Sequence, residues 1–423
     1  MSKPHLVVFC SLFPSAVRPL AGSFVRDRMF RVANFLPVTV VSPQAWFPGQ
    51  SLVRLRQPDN RLSGVPFEVM DDIEVYRPRV WALPGVGRRW DGYAMARAAL
   101  PVMRRLVAAG RCDIIDAHFA YPDGYAAALL GSWLKLPYCV TLRGTEPRHL
   151  GVPALSARIV KTLTSAARVF CVSNSLREHA LRAGADPART VVVGNGVDTE
   201  MFYPIPRAEA RASLGLREDA KVLITVGALV ERKGFHRVLE HLPKLRQLHP
   251  NLHYLIVGGG SPEGDFSPRL RALVHDLRLA DCVRFLGPIA PSNLKGALSA
   301  SDLFVFPTSN EGWANVILEA MACGLPVIAS DVGGNAEVIN TPQVGAVFPF
   351  GQPSALYEAV ARALNTEWNT ASIIDYAKRN TWAARVEVLV GAFGAVIQTP
   401  LNDSMGLAET SMIDLPRPHS RCP

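Results

Sequence analysis

Apolar residues in this chain come in short unbroken runs, separated by stretches with helical spacing. LVVFCSLF (6–13) is the first run, and VTVVSP, CDIIDAHF, YCVTLRG, RVFCVS and TVVVGNGV follow. Between them lie Ala/Arg/Leu-rich segments such as GYAAALLGSWLKL, whose apolar positions suit one helix face. A strand covered by helices on both sides needs apolar residues on both faces, so it reads as a continuous run. The pattern predicts a doubly wound, Rossmann-like α/β unit over residues 1–200.

The segment TEMFYPIPRAEARASLGLREDA (199–220) is polar, carries two prolines and reads as a linker. The strand–helix alternation then restarts with KVLITVGAL, a helix over 236–248, NLHYLIVGGG and a helix over 268–278. CVRFLGPI, DLFVFPT, a helix after Glu311 and PVIAS continue it, giving a second unit over 206–378. TWAARVEVLVGAFGAVI predicts one more helix, over 379–397, and the aperiodic tail 398–423 is expected to be disordered. Two such units face each other across a cleft at the carboxyl ends of their strands, where open α/β sheets bind ligands.

Composition narrows the class. With 423 residues, 49% hydrophobic and 19% charged, the chain suits a soluble protein of two domains or three. Seven cysteines with no C-x-x-C pair point to buried thiols in a reducing compartment, so the cytoplasm is the expected location. The first ten residues read as a strand rather than a signal peptide, and no stretch is apolar for long enough to span a bilayer. The net charge of +9 suits polyanionic company, and its distribution is uneven. Residues 81–111 hold Arg88, Arg89, Arg97, Arg104, Arg105 and Arg111 against Asp91 alone. Trp90, Arg97, Arg104 and Arg111 recur every seven residues, with Tyr93 beside them, which would form one stripe on a helix. Such a stripe suits an anionic membrane surface or simply a solvated face, and Pro101 is expected to kink or split it.

The most informative segment is EGWANVILEAMACGLPVIAS (311–330). Glu311 follows a strand and therefore lies on the cleft side. A glycine turn then opens a helix whose first N–H groups come from Ala314, Asn315 and Val316. Such a helix start favours a diphosphate, through its unpaired N–H groups and its dipole. Glu319, further along, is placed to reach a ribose; alternatively, Glu311 caps the helix and Glu319 is a surface acid.

The segment resembles the E-x7-E signature of the family-4 retaining glycosyltransferases, which have the GT-B fold. The resemblance spans about residues 4–395. It is carried further by LITVGALVERKGFHRVLE (223–240), SNSLREHALRAGADPARTVVVGNGVDTEMFYP (173–204), LIVGGG (255–260) and VRFLGPI (283–289). It implies transfer of a hexose-type sugar from a nucleotide diphosphate sugar, in polysaccharide or glycolipid biosynthesis, with a saccharide or lipid-linked acceptor. It also implies that Glu311 holds the donor hexose, Glu319 the ribose, Lys233 the diphosphate, and Gly287 to Ile289 the base. His118 would contact the donor sugar near the reacting face, and Gly22 would approach the diphosphate and acceptor. No metal is expected, because positive side chains take the place of a divalent ion.

Two positions depart from the family pattern. Ala228 stands where an arginine is common, with Arg232 available as a substitute. LRGTEP (142–147) has Arg143 and Glu146 where a histidine and an aspartate are common. Arg143 then either serves an anionic group or pairs with Glu146. A dinucleotide oxidoreductase would need a G-x-G-x-x-G after the first strand, which SLFPSAVRPLAG does not supply. A sugar-nucleotide epimerase and a non-catalytic sugar-nucleotide binder remain as chemical alternatives. Nucleic acid is not an expected partner, since no aromatic sheet motif or recognition-helix pattern accompanies the charge.

Overall fold

The computed structural model describes residues 3–19, 21–47, 50, 64–81, 88–261 and 263–398. The tail from residue 399 and the start of the arginine-rich segment, residues 82–87, lie outside them. Strands of the first half are β1 (Leu6–Phe9), β2 (Val38–Val41), β3 (Gln44–Trp46), β4 (Phe67–Met70) and β5 (Ile73–Tyr76). They continue with β6 (Arg79–Trp81), β7 (Ile114–His118), β8 (Tyr138–Leu142), β9 (Arg168–Cys171) and β10 (Thr190–Val192). One sheet runs β10-β9-β8-β7-β1-β2-β5-β4, parallel except for the β4–β5 pair, and β3 pairs with β6 separately. The second half holds β11 (Lys221–Val226), β12 (Leu252–Val257), β13 (Val283–Gly287), β14 (Leu303–Phe306), β15 (Val327–Ser330) and β16 (Gly345–Phe348). These form an all-parallel sheet in the order β13-β12-β11-β14-β15-β16.

The continuous apolar runs have the predicted cause. Val7 and Phe9 enter one core while Leu6 and Val8 enter another on the opposite face of the same sheet. Val222 and Ile224 likewise part from Leu223 across the second sheet. This is the two-faced burial of a doubly wound fold. The final helix, Trp382–Gln398, returns to the first half. Its Val386, Leu389, Phe393 and Val396 join the core that contains Leu6 and Val8, and Phe393 meets Phe170 edge-on with ring centres 5.4 Å apart.

Several contacts tie the halves together. The Glu337 carboxylate accepts the N–H groups of Asn174 (2.8 Å) and Ser175 (3.2 Å), at the start of the helix Asn174–Arg182. Trp313 packs against both central cores. Gly144 and Gly312 bring two backbones together: a Cβ on Gly312 would lie 2.1 Å from the Arg143 carbonyl oxygen, so only glycine fits there.

The arginine-rich segment departs from expectation. The helix Asp91–Ala108 runs through Pro101 without splitting. Pro101 faces solvent, so the carbonyl that it leaves unpaired can be hydrated. Arg111 lies beyond the helix and pairs with Glu74 at 3.0 Å, which removes it from the stripe. Tyr93, Arg97, Arg104 and Arg105 do face outward. Among the described residues no helix is long and apolar enough to cross a membrane, and the six cysteines there are buried and free.

Candidate active site

In each sheet the strand order reverses direction beside the first strand, β1 or β11, and the crevice for a ligand opens at that point. The sequence-selected residues gather at these two places. After β11 the chain turns through Glu231–Lys233 and ends at Gly234 in the left-handed region, φ 78°. A Cβ there would lie 2.1 Å from the Pro307 carbonyl oxygen, which locks this turn against the end of β14.

That contact brings Lys233 to Glu311. The ammonium Nζ is 2.5 Å from Glu311 Oε1 and sits over the Phe306 ring, 4.7 Å from its centre. Thr308 Oγ1 donates to the same carboxylate oxygen at 3.1 Å. Arg232 reaches it with Nη1 at 3.3 Å, and directs Nε (2.7 Å) and Nη2 (2.9 Å) to the two oxygens of Glu263. Glu311 is thus held by a lysine, an arginine and a hydroxyl, and does not cap the following helix. That helix, Asn315–Ala322, starts after Ala314 with no side-chain cap, so its leading N–H groups, those of Asn315 and Val316 among them, are left for a ligand.

Glu319 lies a turn into this helix and is half-buried. Burial, helped by the charge of Asp27 on the helix Ser23–Ala33 of the other half, pushes its carboxyl up to about 7. Gly287 and Ile289 lie at the end of β13, two strands from β11. Gly287 adopts φ 70° with open space beside it, and its carbonyl accepts the Gly258 N–H at 2.9 Å.

The first half contributes a different arrangement. His118 ends β7 and is fully buried, with Nε2 3.3 Å from Asp116 Oδ2. Its Nδ1 receives Arg143 Nη2 at 2.9 Å, which leaves the ring proton on Nε2 toward Asp116. Burial pushes the imidazole down to about 4, so it is neutral at neutral pH. Arg143 also donates through Nη1 to Asn195 Oδ1 at 3.0 Å and stacks over Phe24 at 5.2 Å. Asn195 Nδ2 in turn donates to Asn315 Oδ1 at 2.8 Å, so one hydrogen-bonded chain crosses the cleft from His118 to the helix Asn315–Ala322.

Pairing of Arg143 with Glu146 is not what the structure contains. The Glu146 carboxylate instead accepts backbone N–H groups of Gly144 (2.8 Å), Arg143 (3.3 Å) and Ala120 (3.2 Å). Gly22 precedes the helix Ser23–Ala33 at φ 69°, packed against the Leu12 carbonyl. The adjoining loop is anchored by Asp123, which accepts the backbone N–H and the hydroxyl of Ser11.

Sequence reasoning missed Asp27, Asp123, Asn195 and Glu263. Asn195 and Glu263 lie at the ends of motifs that were noticed for their strands, and a lone polar residue there carries no periodic signal. Among the described residues no group of three His, Cys, Asp or Glu side chains is arranged to hold a metal ion.

Residues 206–380 match the family model described as Glycosyl transferases group 1, and residues 39–201 match that of Glycosyltransferase Family 4. A D-inositol 3-phosphate glycosyltransferase of Geodermatophilus obscurus is 37% identical over 306 residues, covering 68% of each chain. The putative teichuronic acid biosynthesis glycosyltransferase TuaC of Bacillus subtilis is 28% identical over 360 residues, covering 83% of this chain and 87% of its own. Among solved structures, Anabaena HepE in complex with UDP superimposes with a TM-score of 0.71 at 20% identity, covering 93% of this chain and 100% of its own.

Proposed function

The chain belongs to the family-4, group 1 glycosyltransferases, with their GT-B fold, and on that premise we propose that it moves a hexose from a nucleoside diphosphate sugar with retention of configuration. The observation that carries this reading is the convergence of Lys233 and Arg232 on Glu311, beside an uncapped helix start. The bond between the sugar's anomeric carbon and the diphosphate breaks, and the acceptor hydroxyl bonds to that carbon on the same face. The acceptor proton passes to the departing phosphate oxygen. Charge grows on the diphosphate as this happens, and Lys233, Arg232 and the N–H groups of Asn315 and Val316 meet it. Glu311 accepts from a sugar hydroxyl and Glu319 from the ribose. His118, neutral and held through Nδ1 by Arg143, shapes the sugar side of the cleft. UDP in the related HepE structure supports a nucleotide donor.

Because two side-chain cations serve the diphosphate, no metal is required. The test is release of nucleoside diphosphate across common sugar nucleotides, with and without EDTA. At least one donor turns over, and EDTA leaves the rate unchanged. Loss of activity on chelation, restored by manganese or magnesium, overturns the phosphate site; no turnover with any donor and acceptor mixture overturns the reading.

The acceptor side meets an anionic membrane surface, on the cytoplasmic face, through the helix Asp91–Ala108. Tyr93, Arg97, Arg104 and Arg105 face outward there, Trp90 is exposed at its start, and Trp133 joins Tyr93 edge-on at 6.0 Å. Aromatic rings with arginines at their edge suit a headgroup layer. A surface of this kind supports a lipid-linked acceptor. Vesicles with anionic lipid co-sediment the protein, and changing Arg97, Arg104 and Arg105 to Gln releases it. Equal recovery on neutral vesicles removes the membrane and favours a soluble saccharide acceptor.

A further inference from the structure

Both donor-side cations are already neutralised before any ligand arrives, and by carboxylates of different standing. Glu311 belongs to the pocket, with its side chain 10% exposed. Glu263 comes from outside, at 54% exposure, on the turn that follows β12. Ser261 and Gly264 close that turn by exchanging backbone hydrogen bonds of 2.9 and 2.8 Å, and the Glu263 N–H donates to Ser261 Oγ at 3.2 Å. Its carboxylate grips Arg232 through both oxygens, and this pairing holds the acid below its ordinary range.

The fork of a guanidinium fits a carboxylate and a phosphate equally well. With Ala228 contributing no charge, Arg232 is the second cation that the turn after β11 offers to a diphosphate. Two cations facing two carboxylates leave no net local charge for an anion that brings at least two. Release of Glu263 to solvent restores a positive pocket, and its exposed turn allows that without disturbing the core.

We infer that Glu263 is a built-in competitor of the donor diphosphate: it occupies the Arg232 fork in the free enzyme and is displaced when the nucleotide binds. It thereby weakens nucleotide affinity and hastens release of the nucleoside diphosphate product. This rests on the donor site proposed above. It assigns to an exposed residue outside the E-x7-E segment the setting of how tightly that site closes on phosphate.

Calorimetric titration of the full chain with UDP, GDP and ADP, and with the matching nucleosides, tests it. Glu263→Gln, Arg232→Gln and the double variant are compared with the unaltered protein, with thermal melts confirming that each is folded. For whichever diphosphate binds, Glu263→Gln tightens binding about three- to five-fold, the range open to a partly exposed ion pair. It leaves the nucleoside unchanged, and it has no effect once Arg232 is Gln. Weaker or unchanged diphosphate binding in Glu263→Gln overturns the inference, as does a gain that persists without Arg232 or appears equally for the nucleoside. Failure of all three diphosphates to bind the unaltered protein is a different result, which overturns the donor site itself and the inference with it.

Discussion

The two walls of the cleft use charge in opposite ways. On the second-domain wall, Lys233 and Arg232 pair with carboxylates, and one of these, Glu263, is exposed, so that an incoming anion can take over its contacts with Arg232. On the first-domain wall the ionisable groups are sunk and answered mostly by neutral oxygens and nitrogens. Arg28 is 1% exposed and donates to the Val193 carbonyl at 3.2 Å, while Arg143 donates to His118 and Asn195. Burial pushes both arginines below their ordinary range, Arg143 to about 10. Exchangeable partners suit a site that must bind and release phosphate; buried networks suit a platform that must not move.

The largest expected effect follows directly. Lys233→Ala and Glu311→Ala each lower turnover by a factor of about 30 to 10³, the cost of about 2–4 kcal/mol for a lost contact to developing charge or to the sugar. Their melting temperatures stay close to that of the unaltered protein. Arg143→Ala behaves the other way: it leaves His118 Nδ1 and Asn195 Oδ1 unmatched and costs about 1–3 kcal/mol of stability in chemical denaturation. If Arg143→Ala melts normally while Lys233→Ala unfolds, the contrast between the walls is wrong.

An intermediate effect concerns Glu319. Its carboxyl is raised to about 7 by burial and by Asp27, and only when ionised can both of its oxygens accept from the hydroxyl pair of the ribose proposed to bind there. Binding of the donor's nucleoside therefore strengthens as pH rises from 6 to 8, about ten-fold at most. Glu319→Gln flattens that profile and raises KM for the donor. A profile that survives the substitution would place the titrating group elsewhere.

The smallest effects are the pH slopes of stability, which differ in sign between the walls. Folded Glu319 holds its proton more tightly than the unfolded chain does. Its contribution is present below the ordinary carboxyl range and is lost as pH rises through about 7. Folded His118 binds its proton more weakly, so its contribution is present above the ordinary imidazole value and is lost as pH falls toward about 4. Denaturation curves of Glu319→Gln and His118→Gln, each subtracted from the unaltered protein, give slopes of opposite sign between pH 5 and 7. Slopes of the same sign would contradict the assignment.

The two walls also differ in how far the sequence exposes them. The second-domain wall is written in contiguous stretches: a strand, the turn with Arg232 and Lys233, then a second strand leading into Glu311 and its helix. Strand periodicity and a local motif therefore locate it. The other wall is assembled from residues 118, 143 and 195, which follow or end β7, β8 and β10 and are brought together by the parallel order β10-β9-β8-β7. Its outer edge was illegible for a further reason. β4 and β5 are short and partly exposed, and they meet through Asp71-Asp72, both at positive φ, where the usual glycine signal is missing. Pro101 does not split its helix because a proline's effect depends on which side of the helix it faces, and that is fixed by tertiary packing.

The most direct test of the account is the anomeric configuration of the product, read by nuclear magnetic resonance from the one-bond coupling at the anomeric carbon. The donor is the sugar nucleotide that the enzyme turns over, and the comparison is with Lys233→Ala. A retaining transferase with Lys233 on the diphosphate gives a glycoside with the same configuration as the donor, and almost none of it comes from the variant. An inverted product, or a retained product formed at an undiminished rate without Lys233, would contradict it.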